Sequence, residues 1–437
     1  MIRKTSTILV RSVTLSALLV LLIAVKVESG NYEAPFDSTA VVDADDSLSL
    51  AEVLTLVARN NPGLQALVWQ EQAMQGELRQ ALLWPNPELQ TEFEEVDWDA
   101  PGFSESEFSL TLSQEFELLG QRSARKQLAR SQIEATKQQS RLEAFDLFLK
   151  TKEQFYAVAH AQVLAILADS SAALMQEMVD NISGRIEKGA APQSELLLAR
   201  LELQEAELEQ HEALQELTAA REELAGSYQG QAAQAKVICG DEPALESVLE
   251  ALPRLSEWAD FSRSLLQLQS DSAVAEAQRK LASAEARPSF TLSAGYRHFQ
   301  ADGSSSLLFG IGLPLPLFDR NQGSRAGLDN TLRSIQLRQQ NARLQAAATL
   351  HAGCTRLQSL VSRHGMLDTL LIPTAQQIYS SLHDEYSAGR IPFTNLLQAR
   401  RSLMNLRSGH NDILLDIRRQ IIELEHATGA ILKMDLD

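Results

Sequence analysis

The chain has 437 residues and a formal charge of −18, from 39 Lys and Arg against 57 Asp and Glu. Ala, Leu, Gln, Glu and Arg dominate, aromatic residues make up 5% and prolines number 13, a composition that favours long helices over compact mixed domains. No basic cluster lies beyond the N-terminus, so the charge counts against nucleic acid as a partner.

The first residues carry Arg3, Lys4 and Arg11, followed by an apolar run from Val13 to Val25. That is the pattern of a secretory signal peptide over residues 1–28, with a retained anchor as the alternative. No later stretch has 18 consecutive apolar residues, so no further membrane helix is expected. Cys239 and Cys354 are the only cysteines, and either a periplasmic disulfide or two lone thiols fits them.

Asp46-Ser47 reads as a cap before an apolar-periodic helix, Asn60-Asn61-Pro62 punctuates, and a second helix runs to about Trp84 before Pro85-Asn86-Pro87. The period then changes to two. Leu89, Thr91 and Phe93 alternate with Glu88, Gln90, Glu92 and Glu94, and Phe108, Leu110 and Leu112 alternate with Ser109, Thr111 and Ser113. These are two strands with one apolar and one polar face, joined by an acidic loop from Glu95 to Glu107. From Gln121 to about Ile186 no proline breaks the helical pattern, and its seam is expected at Leu142, Phe145, Leu149, Tyr156, Ala159, Val163 and Ile166.

A turn follows at Gly189, then a helix to about Tyr228 and a polar linker, residues 229–254. The second half repeats the plan with a helix over 256–286, a strand from Phe290 to Arg297, the loop Ala301–Ser304, and a strand carrying Phe309, Ile311 and Leu313. The exit is Pro314-Leu315-Pro316-Leu317-Phe318-Asp319-Arg320-Asn321-Gln322-Gly323. A second rod, interrupted mildly by Gly353, Gly365 and Pro373, leads to a turn at Gly389 and a last helix ending near Gly429. The expected domains are a first repeat, 47–228, and a second, 255–434.

The repeat is most explicit at the two turns. Gly189, Pro192, Leu196-Leu197 and Ala199-Arg200 recur as Gly389, Pro392, Leu396-Leu397 and Ala399-Arg400. Gly suits a left-handed helix end and Pro suits the start of the next helix. Heptad spacing continues as Leu196, Leu203, Gln210, Leu217, Leu224 and as Leu396, Leu403, His410, Ile417, Leu424, so each half holds a long coiled-coil α-hairpin. The fold class is mainly α with a membrane β-barrel part. Four strands cannot close a barrel, since the smallest membrane barrels need about eight, and open edges in lipid leave backbone groups unpaired. Three copies supply twelve strands, which makes a homotrimer the expected assembly.

On these residues the sequence resembles the TolC-type outer-membrane efflux channel family. The duplicated helix–strand–strand–helix plan, the two Gly-x-x-Pro-x-x-x-Leu-Leu-x-Ala-Arg turns and Pro87-Glu88-Leu89 echoed by Pro288-Ser289-Phe290 carry that resemblance. The Pro314–Gly323 stretch is similar to the CzcC-like heavy-metal branch. The resemblance implies a passive trimeric conduit in the outer membrane with a periplasmic extension. It also implies a periplasmic adaptor and an inner-membrane resistance–nodulation–division pump as partners, lipid as surroundings, and divalent heavy-metal cations as cargo. Drug or protein export, or a soluble periplasmic coiled-coil scaffold, are the alternatives.

The adaptor-docking turns are assigned to Gly189, Pro192, Gly389, Arg390, Ile391 and Pro392, with Arg390 and Ile391 read as exposed. The candidate periplasmic entrance comprises Glu195, Asn395 and Gln398. Acidic residues often ring that entrance in related channels, whereas Asn395 and Gln398 are neutral, which leaves Glu195, or Asp384 and Glu385, as charged candidates. No two of the eight histidines stand three or four apart, no carboxylate–histidine pairing completes a site, and His410 reads as a polar seam residue. No nucleophile motif or phosphate loop is present, so neither a catalytic site, a cofactor nor a bound metal is expected.

Overall fold

A computed structural model describes residues 48–95, 106–230, 237 and 262–429. The signal segment, Cys239, most of the acidic loop and most of the 229–254 linker lie outside the described residues. In order, the elements are α1 (Leu50–Asn60), α2 (Pro62–Ala81), β1 (Glu88–Glu94), β2 (Glu107–Phe116), α3 (Gln121–Glu187), α4 (Gln193–Ser227) and α5 (Arg263–Glu285). Then come β3 (Phe290–Phe299), β4 (Ser305–Gly312), α6 (Gln322–Met366), a π-helical turn (Leu367–Leu371), α7 (Ile372–Ser387) and α8 (Phe393–Thr428).

The first cap falls two residues later than the sequence reading placed it. Ser49, not Ser47, caps α1, and Glu52 returns a bond to the Ser49 amide, 2.8 Å away, which closes a capping box. The π-helical turn is a further departure. Pro373 has no N–H to continue the ladder and its ring crowds the preceding turn. The backbone widens ahead of it so that the Ile372 N–H reaches back to the Leu367 carbonyl.

The chain forms two compact units: residues 1–65, 141–263 and 344–437 in one, 66–140 and 264–343 in the other. The first is a helical unit built on α1, α4, α7, α8 and the C-terminal parts of α3 and α6. Its heptad positions Leu196, Leu217, Leu224, Leu396, Leu403, Ile417 and Leu424 are buried as the spacing requires, and Ala199 and Ala206 pack without a gap beside them. One cluster joins α6 to α8 through Leu350, Leu357, Leu360, Ile413, Ile417, Ile421 and Leu424. Gly353 allows that approach, because a Cβ there would lie 2.8 Å from the Leu424 side chain.

The seam of α3 departs from a strict heptad. Leu142, Leu149 and Ala159 are buried, but Val163 and Ile166 are exposed. A straight helix drifts about 20° per heptad away from a seven-residue repeat, so the buried stripe passes instead to Phe155, Val158, Ala161, Ala165, Ala172, Met175, Val179 and Ile182. Among the described residues α3 alone contains a window long and apolar enough to cross a membrane. Helices α3 and α8 also share a buried ion pair. Lys152 Nζ donates to both carboxylate oxygens of Glu425, at 2.9 and 2.8 Å, and the Glu425 side chain is 0% exposed.

The second unit carries one antiparallel sheet in the order β1-β2-β3-β4. Its register stacks like on like: Leu89 opposes Leu112, Phe93 opposes Phe108, Leu110 opposes Tyr296, Ala294 opposes Phe309 and Leu292 opposes Ile311. Since strand side chains alternate faces, one face of the sheet is apolar from edge to edge. Gln121 and Arg287 tie the two halves at the foot of the sheet. Gln121 Nε2 donates to the Arg287 carbonyl at 3.0 Å, and Arg287 donates to the Leu119 carbonyl at 2.8 Å.

Candidate functional site: the paired turns and the membrane face of the sheet

The two helix–helix turns are built bond for bond alike. The Gly189 N–H reaches the Ile186 carbonyl and the Ala190 N–H the Arg185 carbonyl, both at 2.8 Å. In the second copy Gly389 bonds to Tyr386 and Arg390 to Glu385, both at 2.9 Å. This is the Schellman arrangement, which needs a left-handed residue, and the glycines supply it at φ +72° and +69°. Each proline sits one position earlier than expected. Pro192 and Pro392 are the extended cap residues immediately before Gln193 and Phe393, and their carbonyls accept from Glu195 and Asn395 at 3.1 and 3.2 Å.

Both turns belong to the helical unit, and one apolar cluster holds them together. Met175, Val179 and Ile182 of α3, Leu196 and Ala199 of α4, Tyr386 of α7, and Phe393, Leu396 and Leu397 of α8 form it. Gly189, Pro192, Gly389, Arg390 and Pro392 are exposed. Ile391 is not: it is half-buried and packs against this cluster, because the turn folds its one large apolar side chain back onto the helices. Asn395 and Gln398 face solvent, and Asp384 is largely exposed.

Glu195 is half-buried and engaged. The Tyr386 hydroxyl donates to its Oε2 at 3.3 Å, and the Arg185 guanidinium lies 4.7 Å over the Tyr386 ring. Burial, then the Glu195 charge, pushes the phenol up to about 12, so it stays a donor at neutral pH. Farther from the turn, Arg400 is buried and donates to Ser171 Oγ at 3.2 and 3.4 Å. Arg401 donates to Glu202 and Glu205, with its Nε 3.2 Å from Glu202. Sequence reasoning missed Tyr386 and Arg400. Arg400 matches Arg200, which is exposed, so the shared Ala-Arg motif gave no sign of the difference.

Carboxylate–histidine contacts join residues far apart in the sequence. His160 lies 2.9 Å from Asp412, and His410 stacks on His364 with ring centroids 4.6 Å apart and Asp368 4.0 Å away. Among the described residues no three His, Cys, Asp or Glu come together as a metal site.

In the sheet unit, the apolar face is exposed: Leu89, Phe93, Leu112, Leu292, Tyr296, Leu307, Phe309 and Ile311 have large free surfaces, with Phe309 at 81%. The opposite face presents Glu88, Glu92 and Glu94 of β1, Glu107 and Glu115 of β2, and one cation, Arg297. Arg297 bridges Glu94 at 3.4 Å and Glu107 at 3.0 Å. Gly310 and Gly312 lie on that polar face.

An exposed apolar sheet face in one unit and paired coiled-coil hairpins in the other agree with the family comparison. The model for outer membrane efflux proteins matches residues 53–228 and again 255–430. The chain belongs to the outer membrane efflux protein family. It is similar to the cobalt-zinc-cadmium resistance protein CzcC of Cupriavidus metallidurans, 26% identical over 374 residues, spanning 85% of this chain and 88% of that protein. Solved structures agree in fold. CusC superposes with a TM-score of 0.72 at 17% identity, covering 87% of this chain and 91% of that one. VceC of Vibrio cholerae gives 0.71 at 17% identity, covering 87% and 96%. The open-state MtrE channel of Neisseria gonorrhoeae gives 0.67 at 16% identity, covering 89% and 90%. This family member is therefore an outer-membrane efflux channel with a periplasmic extension, and not an enzyme.

Proposed function

We propose that this channel is the outer-membrane component of a tripartite efflux system and passes divalent heavy-metal cations outward as a passive homotrimer. An inner-membrane pump supplies the energy and a periplasmic adaptor docks on the Gly189–Pro192 and Gly389–Pro392 turns. The trimer reading rests on the sheet. β1 and β4 are open edges, and in lipid each unpaired backbone group costs several kcal/mol. Pairing β4 of one copy with β1 of the next closes a twelve-stranded barrel with the apolar face outward. The two halves are read as a tandem duplication, 47–228 and 255–434, supported by their turns.

The observation that carries the cation assignment is the charge of the face turned away from lipid, five glutamates against the single Arg297. A lumen of one sign raises the local concentration of ions of the opposite sign. Similarity to CzcC supports the same cargo. The entrance is read as Glu195, Asn395 and Gln398, with the Tyr386–Glu195 hydrogen bond as a latch between the two hairpins.

Growth of a deletion strain across graded zinc, cadmium, cobalt, nickel, copper and silver, beside a drug panel, tests the cargo. Hypersensitivity confined to metals, restored by the intact gene, is the expected result. Hypersensitivity to drugs with normal metal tolerance overturns the cargo and leaves the channel.

A further inference from the structure

The strands account for only part of the exposed apolar surface of the sheet unit. At its helix-bearing end, past the last ladder bonds, Leu315, Leu317 and Phe318 stand in solvent, with Phe318 90% exposed. Leu83 and Trp84 before β1, and Leu118 after β2, are exposed at the same end. The segment is held, not loose. Arg320 Nε donates to the Pro316 carbonyl at 3.1 Å, Gln322 Nε2 to the Phe318 carbonyl at 3.0 Å, and Asn321 Nδ2 to the Ala282 carbonyl at 3.1 Å. A fixed backbone that presents three large apolar side chains outward marks a contact surface.

We propose that Leu315, Leu317 and Phe318 form a wedge seated in the phospholipid headgroup layer of the periplasmic leaflet, fixing how deep the channel sits. The inference rests on the reading of the sheet as a lipid-facing barrel wall. Three observations select lipid as the occupant. Leu315 and Leu317 keep the two-residue spacing of Leu307, Phe309 and Ile311 on β4, the strand whose apolar face meets the membrane in that reading, and Phe318 follows them at the bend that ends the segment. Strand length puts it at the right depth. β2 and β3 have ten residues each, about 33 Å of strand, which at a tilt of about 40° spans about 25 Å, the height of an outer-membrane apolar band. Residues beyond that end fall in the interfacial layer.

The third observation is chemical. Interfacial layers favour aromatic rings beside cations. Trp84 meets Phe116 edge-on at 6.1 Å and lies 4.9 Å beneath the Arg122 guanidinium at this end. Arg320, two residues after Phe318, is exposed and complements lipid phosphate.

Site-directed spin labelling of the full-length trimer in phosphatidylethanolamine–phosphatidylglycerol vesicles tests this. Phe318→Cys and, as reference, Phe309→Cys are labelled in a Cys239→Ser/Cys354→Ser background. Collision with oxygen reports lipid, and collision with a water-soluble nickel chelate reports solvent. Oxygen-rich, nickel-poor labels at both positions, with 318 the shallower, are expected. A lipid-facing 309 with a nickel-accessible 318 overturns the wedge. So does a 318 label shielded from both reagents, which assigns the segment to contact between copies. A nickel-accessible 309 refutes the barrel reading itself, and the wedge with it.

Discussion

Gly389→Val tests the docking turn with the fewest confounding effects. A Cβ at position 389 would meet nothing within 4 Å, so the substitution creates no clash and acts on the backbone alone. At φ +69° an L-residue pays roughly 1–2 kcal/mol, and a β-branched one more. If the turn opens to escape that strain, it also loses the Gly389 and Arg390 bonds to Tyr386 and Glu385, at about 1 kcal/mol each. Both routes cut the population of the native turn by tenfold or more, since about 1.4 kcal/mol is a factor of ten. The cluster beneath, with Phe393 and Leu396 1% exposed, keeps the hairpin folded. The expected outcome is loss of metal resistance with trimers retained in the outer membrane, scored by growth and by unheated gel bands. Gly184→Ala, inside α3 with nothing near its added Cβ, is the control and leaves resistance intact. Normal resistance in Gly389→Val refutes the assignment of this turn to docking.

Tyr386→Phe and Glu195→Gln both remove the charge-assisted bond between the hairpins, so each should raise the open probability of single channels in planar bilayers; unchanged conductance records would remove the latch. The phenol's raised position, about 12 against 10.0, fixes the sign of its pH response. The folded state favours the protonated form, so the latch persists below about 10 and weakens as pH climbs from there toward 12. Channel opening should therefore be insensitive to this group across neutral pH. Lys152→Met removes the cation paired with the fully buried Glu425 carboxylate, and breaking such a pair costs about 3–5 kcal/mol. Circular dichroism melting of the helical signal should show the loss, and Lys152→Met/Glu425→Leu should regain most of it; equal melting of the single and double variants would contradict a buried-charge origin.

Periodicity exposed the fold because each element here obeys one period for a long stretch. Strand alternation named both faces of the sheet, and the seven-residue spacing of α4 and α8 named their buried positions. What failed was whatever depends on a neighbour. The α3 seam held at Leu142 and Leu149 and was lost by Ile166, 62% exposed, because drift in a helix of 67 residues depends on which helices lie alongside. Ile391 was misjudged for a related reason: its turn is exposed, but the side chain folds onto a cluster assembled from four helices.

The two turns match in their Schellman bonds and in the bonds to their proline carbonyls, yet their surroundings do not. Glu195 corresponds to Asn395 and Ile186 to Tyr386, and the shared arginine is exposed as Arg200 but buried as Arg400. Each difference places a polar contact at the junction between the two hairpins of one chain: Tyr386 to Glu195, and Arg400 to Ser171. A symmetric device serves docking, since an adaptor that meets repeated hairpins meets the same backbone each time. A switch has the opposite need, because two hairpins that move relative to each other must carry unlike, complementary groups. The identical turns therefore suit recognition, and the divergent residues one or two turns away suit opening. Exchanging the pair as Glu195→Asn/Asn395→Glu keeps composition and both turns but removes the Tyr386 acceptor. Docking should survive and the latch should not. A variant that loses adaptor binding instead would show that the two roles share the same residues.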